Sequence, residues 1–124
     1  MKQALFVGID LVDVDRINAL FLKHDTATLS YLFTAEELAY CKNNVLYYAL
    51  SFSAKESVGK ALGTGLAGLN WFDIQAIPQP DQTIRTQLTG NALNVAAERS
   101  ISSWVGFWAV ITKRISVTTV VGRC

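Results

Sequence analysis

The residue that first suggests chemistry is Asp10, a carboxylate inside an otherwise apolar segment. It lies in the run from Ala4 to Val12, whose β-branched and large apolar side chains predict a strand, an element that disfavours aspartate. Burying an unpaired carboxylate costs several kcal/mol, so Asp10 needs a cation, hydrogen-bond donors or solvent beside it. Two interpretations stay open at this point: Asp10 is a ligand, or its strand face is simply wet.

A second group with chemical potential is Glu56 together with Lys60. The two residues are four apart in a predicted helix, so they lie on the same face, one turn from each other. The helix runs into the turn Gly63, Thr64 and Gly65, where backbone can approach a phosphate without a Cβ in the way. An ordinary solvent-exposed ion pair would show the same spacing, and that alternative also stays open.

Taken together, these side chains are a set that phosphoryl chemistry uses. Magnesium sites of this kind typically take one or two protein carboxylates and leave the remaining positions to water and phosphate oxygens. Asp10 on a strand, Glu56 on a helix packed beside it, and Lys60 nearby would supply that set. The residues therefore permit a Mg²⁺ site with Asp10 and Glu56 as ligands.

Local signals mark the ends of the elements that must position these residues. Asp13 or Asp15 can cap the start of a first helix. Thr34 and Glu37 form a capping box, in which each side chain bonds the other residue's backbone N–H. Gly63 suits the left-handed cap that ends a long helix.

The predicted order of elements gives the fold class. A polar loop that contains His24, the only histidine, covers residues 24–30. The pattern predicts α+β, with an antiparallel sheet packed against the long helix. The elements are a strand (4–12), a helix (from 13), a short helix (34–42), the long helix (45–62), two strands (71–77, 83–88), a helix (91–99) and a strand pair (105–112, 115–121).

Composition predicts one domain over residues 1–124 that associates with further copies of itself. Hydrophobic residues make up 51% of the chain and charged residues 17%, against a usual charged share of about 25%. So small a domain has little interior for that much apolar side chain, which predicts a homo-oligomer. The net charge of +1 with scattered Lys and Arg argues against an α+β domain that binds nucleic acid through sheet aromatics.

The ends of the chain and its two cysteines indicate the compartment. Cys41 and Cys124 are too few for a disulfide scaffold, and free thiols in a reducing compartment are expected. The apolar N-terminal run is cut short by Gly8 and Asp10, unlike a signal peptide or a spanning helix. A cytoplasmic protein without a membrane partner is predicted.

Three motifs resemble the holo-acyl-carrier-protein synthases, the short bacterial type of 4′-phosphopantetheinyl transferase. They cover residues 8–17 (GIDLVDVDRI), 33–37 (FTAEE) and 52–65 (FSAKESVGKALGTG), in the family's order and close to its spacing. The resemblance implies a 4′-phosphopantetheinyl transferase-like domain that moves phosphopantetheine from coenzyme A to a serine of an acyl carrier protein. It also implies release of 3′,5′-ADP and a homotrimer with active sites between subunits.

The resemblance also implies a role for each matching residue. Asp10 and Glu56 would ligate Mg²⁺. Lys60 would contact the coenzyme A phosphates and offset charge on the leaving group, with the turn at 63–65 nearby. Glu56 is the candidate base for the attacking serine, directly or through a metal-bound water. Arg16 would engage acidic residues of the carrier protein.

Several positions depart from the family pattern. Ser51 stands where the family usually carries Arg, Tyr31 takes a frequently basic position, residues 81–83 replace a Gly-Lys-Pro turn, and residues 112–113 replace a Ser-His pair. These departures support an alternative, a catalytically weakened or inactive member of the same fold that acts as an interaction module.

Overall fold

The chain folds around one five-stranded antiparallel sheet with the strand order β1-β5-β4-β3-β2. The computed structural model describes residues 4–23 and 25–124. The strands are β1 (Leu5–Asp13), β2 (Ile74–Pro78), β3 (Thr83–Leu88), β4 (Ser103–Val110) and β5 (Ile115–Arg123). The helices are α1 (Val14–Leu22), α2 (Thr26–Leu32), α3 (Ala35–Tyr40), α4 (Val45–Leu62) and α5 (Gly90–Glu98). The predicted α+β class with an antiparallel sheet is confirmed.

Two local predictions are wrong. Helix α2 forms inside the stretch that was predicted as a loop, and the Asp25 side chain caps it by accepting a hydrogen bond from Thr28 N at 2.8 Å. His24, placed in the same loop, lies outside the described residues. The segment Trp71–Asp73 is a 3₁₀ turn rather than the start of a strand, and its bend aims the Trp71 carbonyl at a buried lysine.

Helix α4 is the central element, because it packs against the inner face of the sheet. Asn44 caps its start by accepting a hydrogen bond from Tyr47 N at 3.0 Å, and Gly63 ends it with a left-handed φ of 80°, as predicted. Its core-facing side chains are small or aliphatic and fully buried: Ala49, Leu50, Ala54, Val58 and Leu62.

Strand β1 crosses α4 with the two backbones in direct contact at Gly8. A Cβ added there would lie 1.7 Å from Ser57 O and 3.0 Å from Ala61 N, so no other residue fits without moving the helix. Because strand side chains alternate, Asp10 projects from the same face as Gly8. The close approach therefore brings Asp10 against α4.

A buried ion pair joins α3 to α4. Lys55 Nζ lies 2.6 Å from Glu37 Oε1, and both side chains are fully buried. The other ammonium protons go to Ile74 O at 2.6 Å and Trp71 O at 3.0 Å, while Glu37 also accepts from Ala76 N at 2.7 Å. Burial lowers the pKa of Lys55, and the Glu37 carboxylate opposes that shift.

The capping box that was predicted from the sequence belongs to the same network. Thr34 Oγ1 accepts from Glu37 N at 3.1 Å, and Glu37 Oε1 accepts from Thr34 N at 2.7 Å. The glutamate thus caps α3 and neutralises a lysine of α4 at once. This dual use fixes the position of α3 relative to the segment of α4 that carries Glu56.

Two observations bear on the environment of the protein. Both cysteines are free thiols, Cys41 buried and Cys124 exposed. Burial, with a further contribution from Glu37, raises the pKa of the Cys41 thiol to about 12. None of the helices in the described ranges has the length and apolar character needed to cross a membrane.

Breaking the buried pair at one end should strongly destabilise the fold. Lys55→Met leaves the Glu37 carboxylate buried without its counter-charge, which should lower the free energy of unfolding by about 3–5 kcal/mol. The double variant Glu37→Gln with Lys55→Met should cost less than the sum of the single variants, because no lone charge remains. Urea unfolding followed by circular dichroism measures both, with the exposed Lys42→Met as control. Additive effects would contradict the coupling.

Candidate active site

Asp10 is half-buried in the middle of β1, and both of its carboxylate oxygens accept a protein donor. Lys60 Nζ donates to Oδ1 at 2.9 Å, and Ser53 Oγ donates to Oδ2 at 2.7 Å. The Asp10 side chain retains 18% of its exposure. The strand face around Asp10 is therefore polar and structured rather than simply wet, and its role as a metal ligand stays a prediction.

Lys60 lies in the last turn of α4 and pairs with Asp10 across the contact between helix and strand. Its ammonium group also donates to Ile9 O at 3.0 Å. Within the described residues the ion pair of Lys60 is to Asp10 and not to Glu56, so the alternative of an ordinary pair along the helix is wrong. Half of the Lys60 side chain is exposed, which leaves its long stem free to turn toward a ligand.

Glu56 projects from α4 toward the same place but accepts no hydrogen bond from the residues that the structure describes. Burial raises the pKa of Glu56 above its ordinary value, and the negative charge of Asp10 raises it further, while Lys60 opposes the shift. Two carboxylates thus share one neighbourhood, and Lys60 is the cation whose charge opposes the rise in the pKa of Glu56. A bound cation would relieve that repulsion.

A cleft of about 660 Å³ opens beside the two carboxylates, between α1, α4 and the end of β1. Asp10 and Glu56 lie in its wall, Arg16 and Lys23 supply positive charge from α1, and Phe52 supplies apolar surface. The volume falls within the range of small-molecule sites, about 300–1,000 Å³. The structure therefore brings together Asp10, Glu56 and Arg16 at one cleft.

The predicted phosphate turn lies apart from that cleft. Gly63 and Gly65 have left-handed φ values of 80° and 59°, Thr64 Oγ1 donates to Gly65 O at 2.8 Å, and Gly65 N donates to Gly59 O at 3.0 Å. All three turn residues are described, and none is among those that line the cleft. Their role toward phosphates stays a prediction.

The donor set fits magnesium better than a metal that needs several protein ligands. Across residues 4–23 and 25–124 no group of three or more His, Cys, Asp or Glu side chains gathers closely enough to hold a metal ion. Asp10 and Glu56 offer two carboxylates, the number that a Mg²⁺ site serving phosphate chemistry takes from a protein. Water and phosphate oxygens would complete such a site.

Sequence reasoning missed Ser53, the side chain in direct contact with Asp10 Oδ2. A signal for it exists in the spacing of α4. Ser53, Glu56 and Lys60 are separated by three and four residues, so they share the helix face that meets β1. This spacing indicates that Ser53 lies on the same helix face as the candidate ligand Glu56.

Comparisons with known proteins identify the family. The family model of the 4′-phosphopantetheinyl transferase superfamily matches residues 6–117. The holo-[acyl-carrier-protein] synthase of Desulforudis audaxviator (strain MP104C) is 41% identical over 101 residues, which cover 79% of this chain and 77% of that protein. That of Thermoanaerobacter sp. (strain X514) is 38% identical over 100 residues, which cover 78% and 72%.

A solved structure agrees as well. The crystal structure of holo-[acyl-carrier-protein] synthase from Neisseria meningitidis aligns with a TM-score of 0.78 at 28% identity, over 94% of this chain and 95% of that one. The family match includes β1, α1 and α4, the elements that carry Asp10, Arg16, Glu56 and Lys60. The chain belongs to the 4′-phosphopantetheinyl transferase superfamily.

Proposed function

We propose that this chain transfers the 4′-phosphopantetheine group from coenzyme A to a serine of an acyl carrier protein, releases 3′,5′-ADP, and depends on Mg²⁺. The observation that carries the proposal is the meeting of Asp10 and Glu56 beside one cleft, with Lys60 in contact with Asp10. Superfamily membership and the relatives' name, holo-[acyl-carrier-protein] synthase, supply the reaction. The proposal treats residues 1–124 as one transferase domain.

Three side chains bind the diphosphate of coenzyme A in this proposal. Asp10 and Glu56 would hold the Mg²⁺, which would supply Lewis-acid chemistry at the diphosphate. Lys60 leaves Asp10 and donates to a phosphate oxygen, a move that its half-exposed side chain allows. Gly63, Thr64 and Gly65 follow directly after this part of α4 and are proposed to contact the nucleotide end of the cofactor.

The transfer itself requires a base and a stabilised leaving group. The serine oxygen of the carrier forms a bond to the phosphorus that bears the pantetheine arm, and the bond from that phosphorus to the 3′,5′-ADP oxygen breaks. Glu56 takes the serine proton, directly or through one water. Lys60 offsets the charge that develops on 3′,5′-ADP.

The basic side of the cleft fits the carrier protein. Arg16 is exposed on α1, and Lys23 lines the cleft from the same helix. Positive side chains at the mouth of a site attract an acidic partner and orient it during encounter. Arg16 is therefore proposed to contact acidic residues of the carrier, which would place the carrier's serine near Glu56.

The departure at Ser51 lies in the core rather than in the cleft. Ser51 is fully buried, and its hydroxyl lies 2.8 Å from Ala76 O and 3.1 Å from Glu37 Oε2. It thereby joins the network around the Glu37–Lys55 pair. A change at this position affects packing between α4 and β2 and leaves the carboxylate pair in place, which supports an active enzyme over an inactive interaction module.

A homotrimer is proposed because the outer face of the sheet is apolar and uncovered. Alternate residues of β1 point away from α4, and each keeps more than half of its exposure: Leu5, Val7, Ile9 and Leu11. Valines of β5 lie beside two of them, in the pairs Val7–Val121 and Leu11–Val117. An apolar strip of this kind on a sheet marks an interaction surface, and further copies of the chain are the proposed occupants.

The proposed compartment is the cytoplasm. Its support is the pair of free thiols, Cys41 and Cys124, which is the usual cysteine state in a reducing environment.

The assignment of roles predicts distinct kinetic losses. Asp10→Asn and Glu56→Gln should each lower turnover by about 100-fold or more, because each removes a proposed carboxylate ligand of the Mg²⁺ that stabilises charge on the reacting phosphates. Lys60→Ala should raise the KM for coenzyme A by about tenfold, the loss of one charge-assisted hydrogen bond. The assay follows the added arm on an apo carrier by mass spectrometry, with Lys42→Ala as control. Wild-type turnover by Glu56→Gln would refute its catalytic role.

The same assay separates the enzyme from the interaction module. Incubation of the wild-type chain with coenzyme A, Mg²⁺ and several apo carriers should add a phosphopantetheine arm to at least one of them. Calorimetry should show coenzyme A binding in parallel. Binding without modification of any carrier would favour the module.

The raised pKa of Glu56 predicts a stability difference in metal-free protein. The folded state binds the Glu56 proton more tightly than the unfolded chain does, so ionised Glu56 destabilises the fold as pH rises above its ordinary value of 4.5. Glu56→Gln is neutral at every pH and should show a higher Tm than wild type at pH 7.5 in EDTA. The difference in Tm between Glu56→Gln and wild type should shrink as pH falls toward 4.5.

Thermal denaturation over a pH series measures this difference. Glu98→Gln, on the exposed part of α5, is the matched control and should leave Tm unchanged. Equal Tm values for wild type and Glu56→Gln at pH 7.5 would show that the carboxylates do not repel each other in the folded chain.

The trimer predicts that one charge on the outer face of β1 prevents assembly. Val7→Lys places an ammonium group where the apolar strips of neighbouring copies would meet, so the chain should become monomeric. Leu93→Lys on α5 is the matched control, since Leu93 is 51% exposed and Val7 52%, and it should remain trimeric. Light scattering after size exclusion measures the mass. A monomeric wild type, or a trimeric Val7→Lys, would contradict the proposed interface.

A further inference from the structure

Three buried hydroxyl groups form a chain that ends on Asp10. Ser53 Oγ lies 2.7 Å from Asp10 Oδ2, Thr118 Oγ1 lies 2.8 Å from Ser53 Oγ, and Ser57 Oγ lies 2.8 Å from Thr118 Oγ1. Ser53, Ser57 and Thr118 are all fully buried. The chain therefore runs from the interior, between α4 and β5, to the carboxylate at the cleft.

The number of available protons sets the direction of these hydrogen bonds. An ionised carboxylate can only accept, so Ser53 donates its single proton to Asp10. Ser53 must then accept from Thr118, and Thr118 must accept from Ser57. Three donated bonds point toward the carboxylate, and each polarises the next.

We propose that Ser53 is a positioning residue that holds the Asp10 carboxylate in the orientation needed to bind the divalent cation. Thr118 and Ser57 support it by polarising its hydroxyl. The proposal rests on the proposed function, in which Asp10 is a ligand of Mg²⁺. In this proposal the three buried hydroxyl groups raise the affinity for the cation and take no part in the transfer step.

Ser53 differs from the other donor to Asp10 in its mobility. Lys60 donates to Oδ1 from a side chain that is half exposed, and in the proposed reaction it turns to a phosphate. Ser53 is fixed in a helix interior with no exposed surface. Once Lys60 has left, Ser53 is, among the described residues that bond the Asp10 side chain, the donor that still keeps the carboxylate from rotating, so that Asp10 would be held in place to bind the cation.

Residues around a metal site commonly act in this way. Hydrogen bonds to a ligating carboxylate fix its orientation, and loss of such a partner typically costs about 10–100-fold in metal affinity. The protein also contains a buried hydroxyl for comparison. Ser116 lies two residues before Thr118 on the same face of β5. Ser116 Oγ is buried and, of the described residues, none is its hydrogen-bond partner.

The test measures cation binding apart from turnover. Mn²⁺ is titrated into the full chain with coenzyme A present, and free Mn²⁺ is followed by electron paramagnetic resonance, with a coenzyme A blank subtracted. Ser53→Ala should weaken Mn²⁺ binding by about tenfold. Thr118→Val should give a loss between wild type and Ser53→Ala, and Thr118→Ser, which keeps the hydroxyl, should restore wild-type binding. Ser116→Ala should bind Mn²⁺ as wild type does.

Kinetics provide a second readout that a general packing defect would not reproduce. Ser53→Ala should need about tenfold more Mg²⁺ for half-maximal activity and should return close to the wild-type kcat when Mg²⁺ is saturating. Circular dichroism checks that each variant is folded. Should Ser53→Ala fail to fold, the two Thr118 variants test the proposal. Weaker cation binding in Thr118→Val than in Thr118→Ser supports it, and equal binding contradicts it.

Each outcome bears on a named claim. Wild-type Mn²⁺ affinity in Ser53→Ala, or an equal loss in Ser116→Ala, overturns the positioning role. Asp10→Asn is run in the same titration: if it loses Mn²⁺ while Ser53→Ala does not, this inference fails and the proposed function stands. If Asp10→Asn binds Mn²⁺ like wild type, the metal assignment fails and the inference falls with it.

Discussion

The contact between β1 and α4 at Gly8 is the constraint on which the site depends. A Cβ on residue 8 would lie only 1.7 Å from the Ser57 carbonyl oxygen, so strand and helix meet backbone to backbone. That approach lets the short side chain of Asp10 reach both Ser53 and Lys60 within hydrogen-bond distance. A strand held farther away by a side chain would leave Asp10 and Glu56 facing separate regions of solvent.

Four polar residues of α4 that make side-chain hydrogen bonds differ in their exposure. Lys55 and Ser51 are buried and bonded to Glu37, and they hold α4 to α3 and β2. Ser53 is bonded to Asp10 on the opposite side. Lys60 alone of this group is half exposed. In the proposed function, a fixed helix with one half-exposed cation would hold the proposed metal ligands in place while Lys60 turns to a phosphate, which fits the demand for preorganised charge.

The sequence predicted the parts of the molecule that local rules control. The capping box at Thr34, the left-handed cap at Gly63 and the strand pairing of the last two segments follow from local signals, and all are confirmed. The 3₁₀ turn at Trp71 places the Trp71 carbonyl within hydrogen-bond distance of Lys55, 16 residues away in the chain, a contact that no local pattern contains. Local spacing puts Ser53 on the helix face of Glu56 and Lys60, but its hydrogen bond to Asp10 joins residues 43 apart, which the spacing along one helix does not predict.

Strand β1 links assembly and chemistry because its two faces have different tasks. Gly8 and Asp10 point inward to α4, whereas Val7 and Ile9 point outward and are exposed. A shift of one residue in the pairing of β1 with β5 would exchange the two sets and destroy both surfaces. The antiparallel register, Gly8 opposite Val120 and Asp10 opposite Thr118, therefore does more than close the sheet. It places the carboxylate next to the three hydroxyl groups and, on the reverse side, aligns the apolar strip that is proposed to meet neighbouring copies.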